Sequence, residues 1–166
     1  MVFSSLIFLF LFLPLFLIFY FLCKKRKSRN IVLLIFSLLF YSYGEPVYVL
    51  LMILSIIVNY YIAIIMSNSK KRKALLIVDV IFNLGLLFIF KYSNFFLSNI
   101  NNLFHLNKTF LNISLPIGIS FYTFQILTYV IDVYKKEVDV QKSMINLGCY
   151  ISAFPQLIAG PIVRYS

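Results

Sequence analysis

Charge is scarce in this sequence, and that scarcity decides its class. Asp, Glu, Lys and Arg make up 12% of the residues, where a soluble globular domain carries about 25%. Hydrophobic residues make up 62%, and their runs are too long for a soluble core. Alternating apolar segments of roughly ten residues are missing, which excludes a membrane β-barrel. There are two cysteines, Cys23 and Cys149. Their spacing fits neither a metal site nor a disulfide framework, so two free thiols are expected. Histidine occurs once, at position 105, which leaves a single ordinary candidate for a base near neutral pH.

What remains is a set of apolar runs of the length a bilayer demands, about 20 residues per helix. The fold class is therefore all-α: a polytopic transmembrane helix bundle of about five to six membrane segments, one short and one broken. The net charge of +10 is not a nucleic-acid signature. Nine of the fifteen basic residues fall in two clusters, 24–29 and 70–73, each at the end of an apolar run. They read as topology determinants held on the cytoplasmic side, with anionic lipid headgroups as a plausible secondary ligand.

The predicted spans are 3–23, 31–43, 47–66, 74–96, 115–134 and 143–160, all within one membrane domain over 1–166. The first is a retained helix and not a signal peptide, because its start is neutral and a basic run follows. Pro14 is expected to kink it. Gly44, Glu45 and Pro46 break the chain between a short outward helix and a returning one. That hairpin keeps both basic clusters on one side, and the basic run after the first span sets the N-terminus outside. Asp79 and Asn83 lie four apart on one helical face, the pattern of a helix–helix hydrogen-bonding stripe. Lys91 ends the fourth span, followed by the interfacial aromatics Tyr92 and Phe95. The loop 98–112 is polar and holds His105 and two triplets of the N-glycosylation type, which matter only in a secreted or lumenal setting. It is placed outside. Gly118, Phe121, Gln125, Thr128, Tyr129 and Asp132 then fall at helical spacing, on a face expected to point into protein. Pro155 breaks the last apolar stretch, and irregular backbone at that depth must be buried or line a cavity.

Three late motifs stand apart from the apolar filler: Leu-Pro-Ile-Gly-Ile-Ser-Phe-Tyr-Thr-Phe-Gln at 115–125, Tyr-Val-Ile-Asp-Val-Tyr at 129–134, and Phe-Pro-Gln-Leu-Ile-Ala-Gly-Pro-Ile-Val-Arg at 154–164. They resemble the membrane-bound O-acyltransferase family, in its alginate O-acetyltransferase-like branch. Phe-Tyr-Ser-Tyr-Gly-Glu-Pro at 40–46 and Asn-Tyr-Tyr at 59–61 carry the same resemblance, which covers essentially the whole chain. It implies a multi-pass enzyme of the inner or plasma membrane that moves an acyl group, acetyl by the branch, to hydroxyls of an extracytoplasmic polysaccharide. It implies an acyl thioester as donor and no bound cofactor. Members of the family are much longer, and their catalytic histidine follows the Gly-Pro-Ile-Val-Arg motif, whereas this sequence stops at Ser166. The chain therefore reads as the N-terminal part of such an enzyme, inactive alone, whose partners are the lipid bilayer and either a C-terminal half or separate acetylation proteins. No nucleic-acid partner is expected.

Four residues are candidates for lining a substrate passage: Gln125, Gln156, Asp132 and Arg164. Each has a plainer structural role. Gln125 and Gln156 can bond across helices or satisfy backbone freed by Pro155. Asp132 can pair with Lys135 or Lys136 at the membrane boundary. Arg164 suits a donor phosphate or a positive-inside anchor. His105 matches no family motif and reads as a surface-loop residue, so no catalytic residue and no metal site is assigned. Two other classes remain open: a transport or channel-forming protein, which broken helices with buried Gln and Asp would suit, and a non-catalytic membrane subunit that completes a partner.

Overall fold

The computed structural model of the chain describes residues 5–104, 115–159 and 165. Among these there are helices and no strands. A π-helical stretch, Phe8–Phe12, leads directly into α1, Leu13–Leu22. Next to Pro14, where a kink is expected, the backbone changes register instead. Proline has no N–H for the normal bond to the carbonyl four residues back, and its ring crowds that carbonyl. The backbone answers by widening into an i→i+5 register, with the Leu13 N–H reaching the Phe8 carbonyl.

Helix α2 spans Arg26–Gly44. Its apolar part is short, as expected, but the helix starts earlier because Arg, Lys and Asn continue the same backbone. The helix ends at Gly44, as the Gly-Glu-Pro sequence predicts, and α3 returns over Tyr48–Asn68. Helix α4 runs from Arg72 to Phe104, well past the expected end of the fourth segment near residue 96. Residues 98–104 are thus helical, while 105–114, with His105 and both triplets, lie outside the described residues. Helix α3 and the 72–99 part of α4 are each long and apolar enough to cross a membrane.

Helix α5, Ile119–Lys135, is the centre of the bundle. Ten of its seventeen residues are buried, and it packs against α3, α4 and α6. The main core joins Met52, Ile56, Ala63 and Met66 of α3 to Tyr122, Ile126, Tyr129 and Val130 of α5. The last apolar stretch is broken as expected, into α6 (Met144–Ser152) and α7 (Phe154–Ala159). The Phe154 N–H at the break is caught by Ser37 Oγ of α2 at 3.3 Å. Next to it, Phe8, Phe12 and Phe16 form a one-sided ladder that packs on Phe36, Phe40 and Phe154, ring centroids 5.3–6.2 Å apart. That ladder is how the N-terminal helix docks, since α1 buries no residue of its own completely. Gly148 lets α2 and α6 approach: a Cβ there would sit 3.0 Å from Leu34 Cδ1.

Cross-helix bonds sort the two ends of the bundle. At one end Asn30 Nδ2 donates to Asn146 Oδ1 (2.8 Å), Tyr60 Oη to the Lys142 carbonyl (2.8 Å) and Arg72 Nη2 to the Val133 carbonyl (2.8 Å). At the other, Tyr41 Oη donates to the Ile117 carbonyl (3.0 Å), and the Tyr48 and Phe90 rings meet. Both basic clusters and Lys135–Lys142 therefore share one end, the arrangement that the α2–α3 hairpin requires.

Candidate functional site

One expected feature of α5 is corrected by the backbone. Gly118 is not part of the helical stripe. It is the residue before the helix, in the left-handed region at φ 76°. Pro116 is buried, the Ile119 N–H bonds back to the Pro116 carbonyl, and Tyr41 holds the Ile117 carbonyl. The motif thus builds a fixed turn that launches α5, and glycine is there for its backbone freedom and not as a small packing residue.

Of the rest of the stripe, Gln125, Tyr129 and Asp132 are buried as expected, while Phe121 and Thr128 are half-buried. Gln125 is fully enclosed. Its Nε2 donates to the Tyr150 carbonyl of α6 at 2.7 Å, while its Oε1 has no partner. The Tyr150 side chain lies within hydrogen-bonding reach of Thr128 and Gln125, with Asp132 nearby. Tyr165 stacks edge-on against both Tyr129 and Tyr150, with centroids 5.0 and 4.8 Å away. Tyr129 Oη accepts from the Gln141 N–H at 3.0 Å, and Gln141 Nε2 donates to Tyr165 Oη. The result is a continuous polar seam between α5 and α6, from Gln125 in the interior to Gln141 and Tyr165 at the basic end.

Asp132 is buried on the same face as Gln125. The ion pair expected from it to Lys135 or Lys136 does not form among the described residues. Lys135 instead pairs with Glu137, at 3.7 Å and half-exposed. The reason lies in how α5 ends. Lys136 takes a left-handed conformation, and the Glu137 N–H closes on the Asp132 carbonyl, which turns the lysines out to solvent and leaves Asp132 on the inner face. Gln156 lies on α7, half-buried, its N–H bonded to the Ala153 carbonyl. Arg164, Gly160 and Pro161 lie outside the described residues. The structure thus brings Gln125 and Asp132 to one seam, and adds Tyr150, Tyr165 and Gln141. Sequence reasoning passed over Tyr150 and Tyr165 because a tyrosine in an apolar run reads as filler or as an interfacial anchor, and Gln141 because it falls in the charged stretch between two spans.

The seam ends beside a cavity of about 660 Å³ at the basic end, with Arg26, Lys27 and Asn30 of α2 on one wall. The opposite wall is made by Gln141, Ser143, Asn146 and Tyr165. Arg26 and Lys27 belong to the first basic cluster, which the sequence presents as a topology determinant with anionic headgroups as a secondary ligand.

A second buried polar set lies between α3 and α4. Asn59 and Asn83 exchange side-chain amide bonds at 2.7 and 3.3 Å, and Asn83 also binds Asp79 Oδ2 at 3.1 Å. All three are fully buried. The hydrogen-bonding stripe expected from Asp79 and Asn83 is present, with Asn59 as its partner. Cys23 and Cys149 are both free thiols, and among the described residues no cluster of His, Cys, Asp or Glu is grouped to hold a metal.

No protein-family model and no solved structure matches the chain. Curated proteins do. The chain is similar to the probable alginate O-acetylase AlgI of Pseudomonas aeruginosa, 39% identical over 99% of this chain and 33% of the relative. It is 38% identical to the probable alginate O-acetylase AlgI of Pseudomonas putida, over 99% of this chain and 36% of that protein. It is also 31% identical to the peptidoglycan O-acetyltransferase of Helicobacter pylori, over all of this chain and 37% of that protein. The resemblance expected from the late motifs is therefore borne out along the whole sequence, and the chain spans about a third of the length of the relatives it matches.

Proposed function

We propose that this membrane chain, similar from end to end to bacterial O-acetylases, forms part of an enzyme that transfers an acetyl group to hydroxyls of an extracytoplasmic polysaccharide. The observation that carries the reading is the similarity over 99% of the chain to alginate O-acetylases. The buried seam along α5 and α6 supports it: polar side chains in hydrocarbon are costly and mark a bundle interior or a pathway.

In this reading the bundle sits in the inner or plasma membrane with the basic end in the cytoplasm and the N-terminus outside. An acyl thioester is presented at the basic end. A polysaccharide hydroxyl attacks the thioester carbonyl, a base takes the hydroxyl proton, and the thiol leaves. Gln125, Gln156, Asp132 and Arg164 line the passage of acyl group or acceptor, with Tyr150 and Tyr165 joining them. No residue of this chain is assigned the base, and that role falls to the remaining two thirds of the enzyme.

Acetyl transfer from a thioester to polysaccharide by the purified chain in lipid tests the reading. Residues 1–166 alone are expected to be inactive, because losing general-base help costs about 10²–10⁴-fold. Supplying the rest of an O-acetylase of this type, as a second chain or in one piece, restores transfer. Turnover by residues 1–166 alone that vanishes in His105→Ala would overturn the assignment and make His105 the base.

A further inference from the structure

We propose that the cavity between the N-termini of α2 and α6 is a binding site for a phosphate-bearing group. Among the described residues its walls carry two cations, Arg26 and Lys27, and no carboxylate. Among the described residues neither cation has an ionic partner, and the single ion pair is Lys135 with Glu137. Arg29, by contrast, is already committed: its Nε donates to the Cys23 carbonyl at 2.8 Å and its guanidinium lies 5.6 Å from the Tyr20 ring centre.

A positive-inside anchor needs charge alone and has no use for a built cavity. This one has polar groups fixed by their own bonds. Asn30 Nδ2 is spent on Asn146 Oδ1, which leaves the Asn146 amide N–H₂ as a donor. Gln141 is held between Tyr165 and the Ser143 N–H. The first turn of α2 has no side-chain cap, so its leading N–H groups add partial positive charge to the same wall. Cations, amide donors and uncapped backbone N–H groups together suit the dispersed charge and many acceptor oxygens of a phosphate. Arginine in particular matches that geometry in two-pronged fashion.

The phosphate can belong to an anionic lipid headgroup at the membrane surface or to a soluble phosphate-bearing molecule. The proposal rests on the cavity and not on the acetyl-transfer reading. The test uses the full chain with two probes, neither of which is acylated, so its failure is separate from failure of that reading. Pyrophosphate is titrated at low salt by calorimetry. In parallel, thermal midpoints are compared in vesicles of phosphatidylcholine with and without phosphatidylglycerol. The variants are Arg26→Gln with Lys27→Gln, and, as the charge-matched control, Lys70→Gln with Lys71→Gln, two exposed residues of the other basic run at the same end. All four substitutions are at exposed positions, and helix content is checked by circular dichroism. The expected result is binding of pyrophosphate, stabilisation by phosphatidylglycerol, or both, weakened roughly tenfold by the first pair through loss of charge-assisted bonds and little changed by the second. Pyrophosphate binding identifies a soluble source, and stabilisation by phosphatidylglycerol alone identifies the headgroup. Equal losses in both pairs, or no response of the wild type to either probe, would overturn the site.

Discussion

At the scale of single residues, the buried amides are the most instructive feature. Asn59 and Asn83 meet where a lipid-exposed helix would carry Leu or Ile, and each satisfies the other. Each amide also ties back to its own helix, Asn59 to the Ser55 carbonyl and Asn83 to the Asp79 carbonyl. Such bonds between membrane helices are worth less than their burial suggests, because the separated helices find other partners. Measured couplings average about 0.6 kcal/mol and reach about 1.7 kcal/mol. A double-mutant cycle of Asn59→Ala and Asn83→Ala, read from unfolding in detergent, is expected to give a coupling in that range. A coupling of zero would mean that the two amides do not hold α3 to α4. This pair was half legible: Asp79 and Asn83 four apart announce a polar face, but nothing in the sequence says that Asn59 is its partner. The seam was legible to the same degree. Gln125 and Asp132 declare themselves by polarity, whereas Tyr150, Gln141 and Tyr165 join them only through the packing of α6 on α5.

At the scale of elements, sequence and structure part at the ends of helices. Lys and Arg are good helix formers, so α2 absorbs the last part of the first basic cluster and α4 begins inside the second. The far end of α4 continues through Ser98 and Asn99 despite their weak helix propensity. Polarity there signals an exit from the bilayer, not a break in the backbone. Gly118 is the sharper lesson. Read at helical spacing it belongs to the inner stripe, yet its φ of 76° makes it the hinge of the turn before α5. A side chain in that conformation costs roughly 1–2 kcal/mol whatever space surrounds it. Gly118→Ala, small enough to fit nearly anywhere, is therefore expected to destabilise the protein by that amount, and Gly118→Leu by at least as much. Thermal unfolding in detergent measures it. An unchanged midpoint for Gly118→Ala would show that the turn relaxes freely and does not fix the start of α5.

At the scale of the whole molecule, the bundle gathers the two basic runs and Lys135–Lys142 at one end and the Gly44–Pro46 and Leu115–Gly118 turns at the other. This much was legible, because long apolar runs and charge clusters are coarse signals that survive any detail of packing. The positive-inside rule predicts that the basic end faces the cytoplasm. Single cysteines at Ser69 and Asn107, each in a background lacking Cys23 and Cys149, test it in intact cells with an impermeant thiol reagent. Asn107→Cys is expected to react and Ser69→Cys to stay protected. The reverse pattern would invert the orientation and place the cavity of Arg26 and Lys27 outside the cell.

In the proposed function this chain serves an O-acetylase through its buried α5–α6 seam. The direct measurement is the acetyl-ester content of alginate made by Pseudomonas aeruginosa whose own relative has its matching segment replaced by residues 1–166. The wild-type replacement is expected to restore acetylation. Gln125→Leu in the same protein, inserted in the membrane to the same level, is expected to lower it about tenfold or more, the scale of one lost buried hydrogen bond to a polar partner. A stably inserted wild-type replacement that yields no acetyl ester, or a Gln125→Leu replacement as active as wild type, would contradict the account.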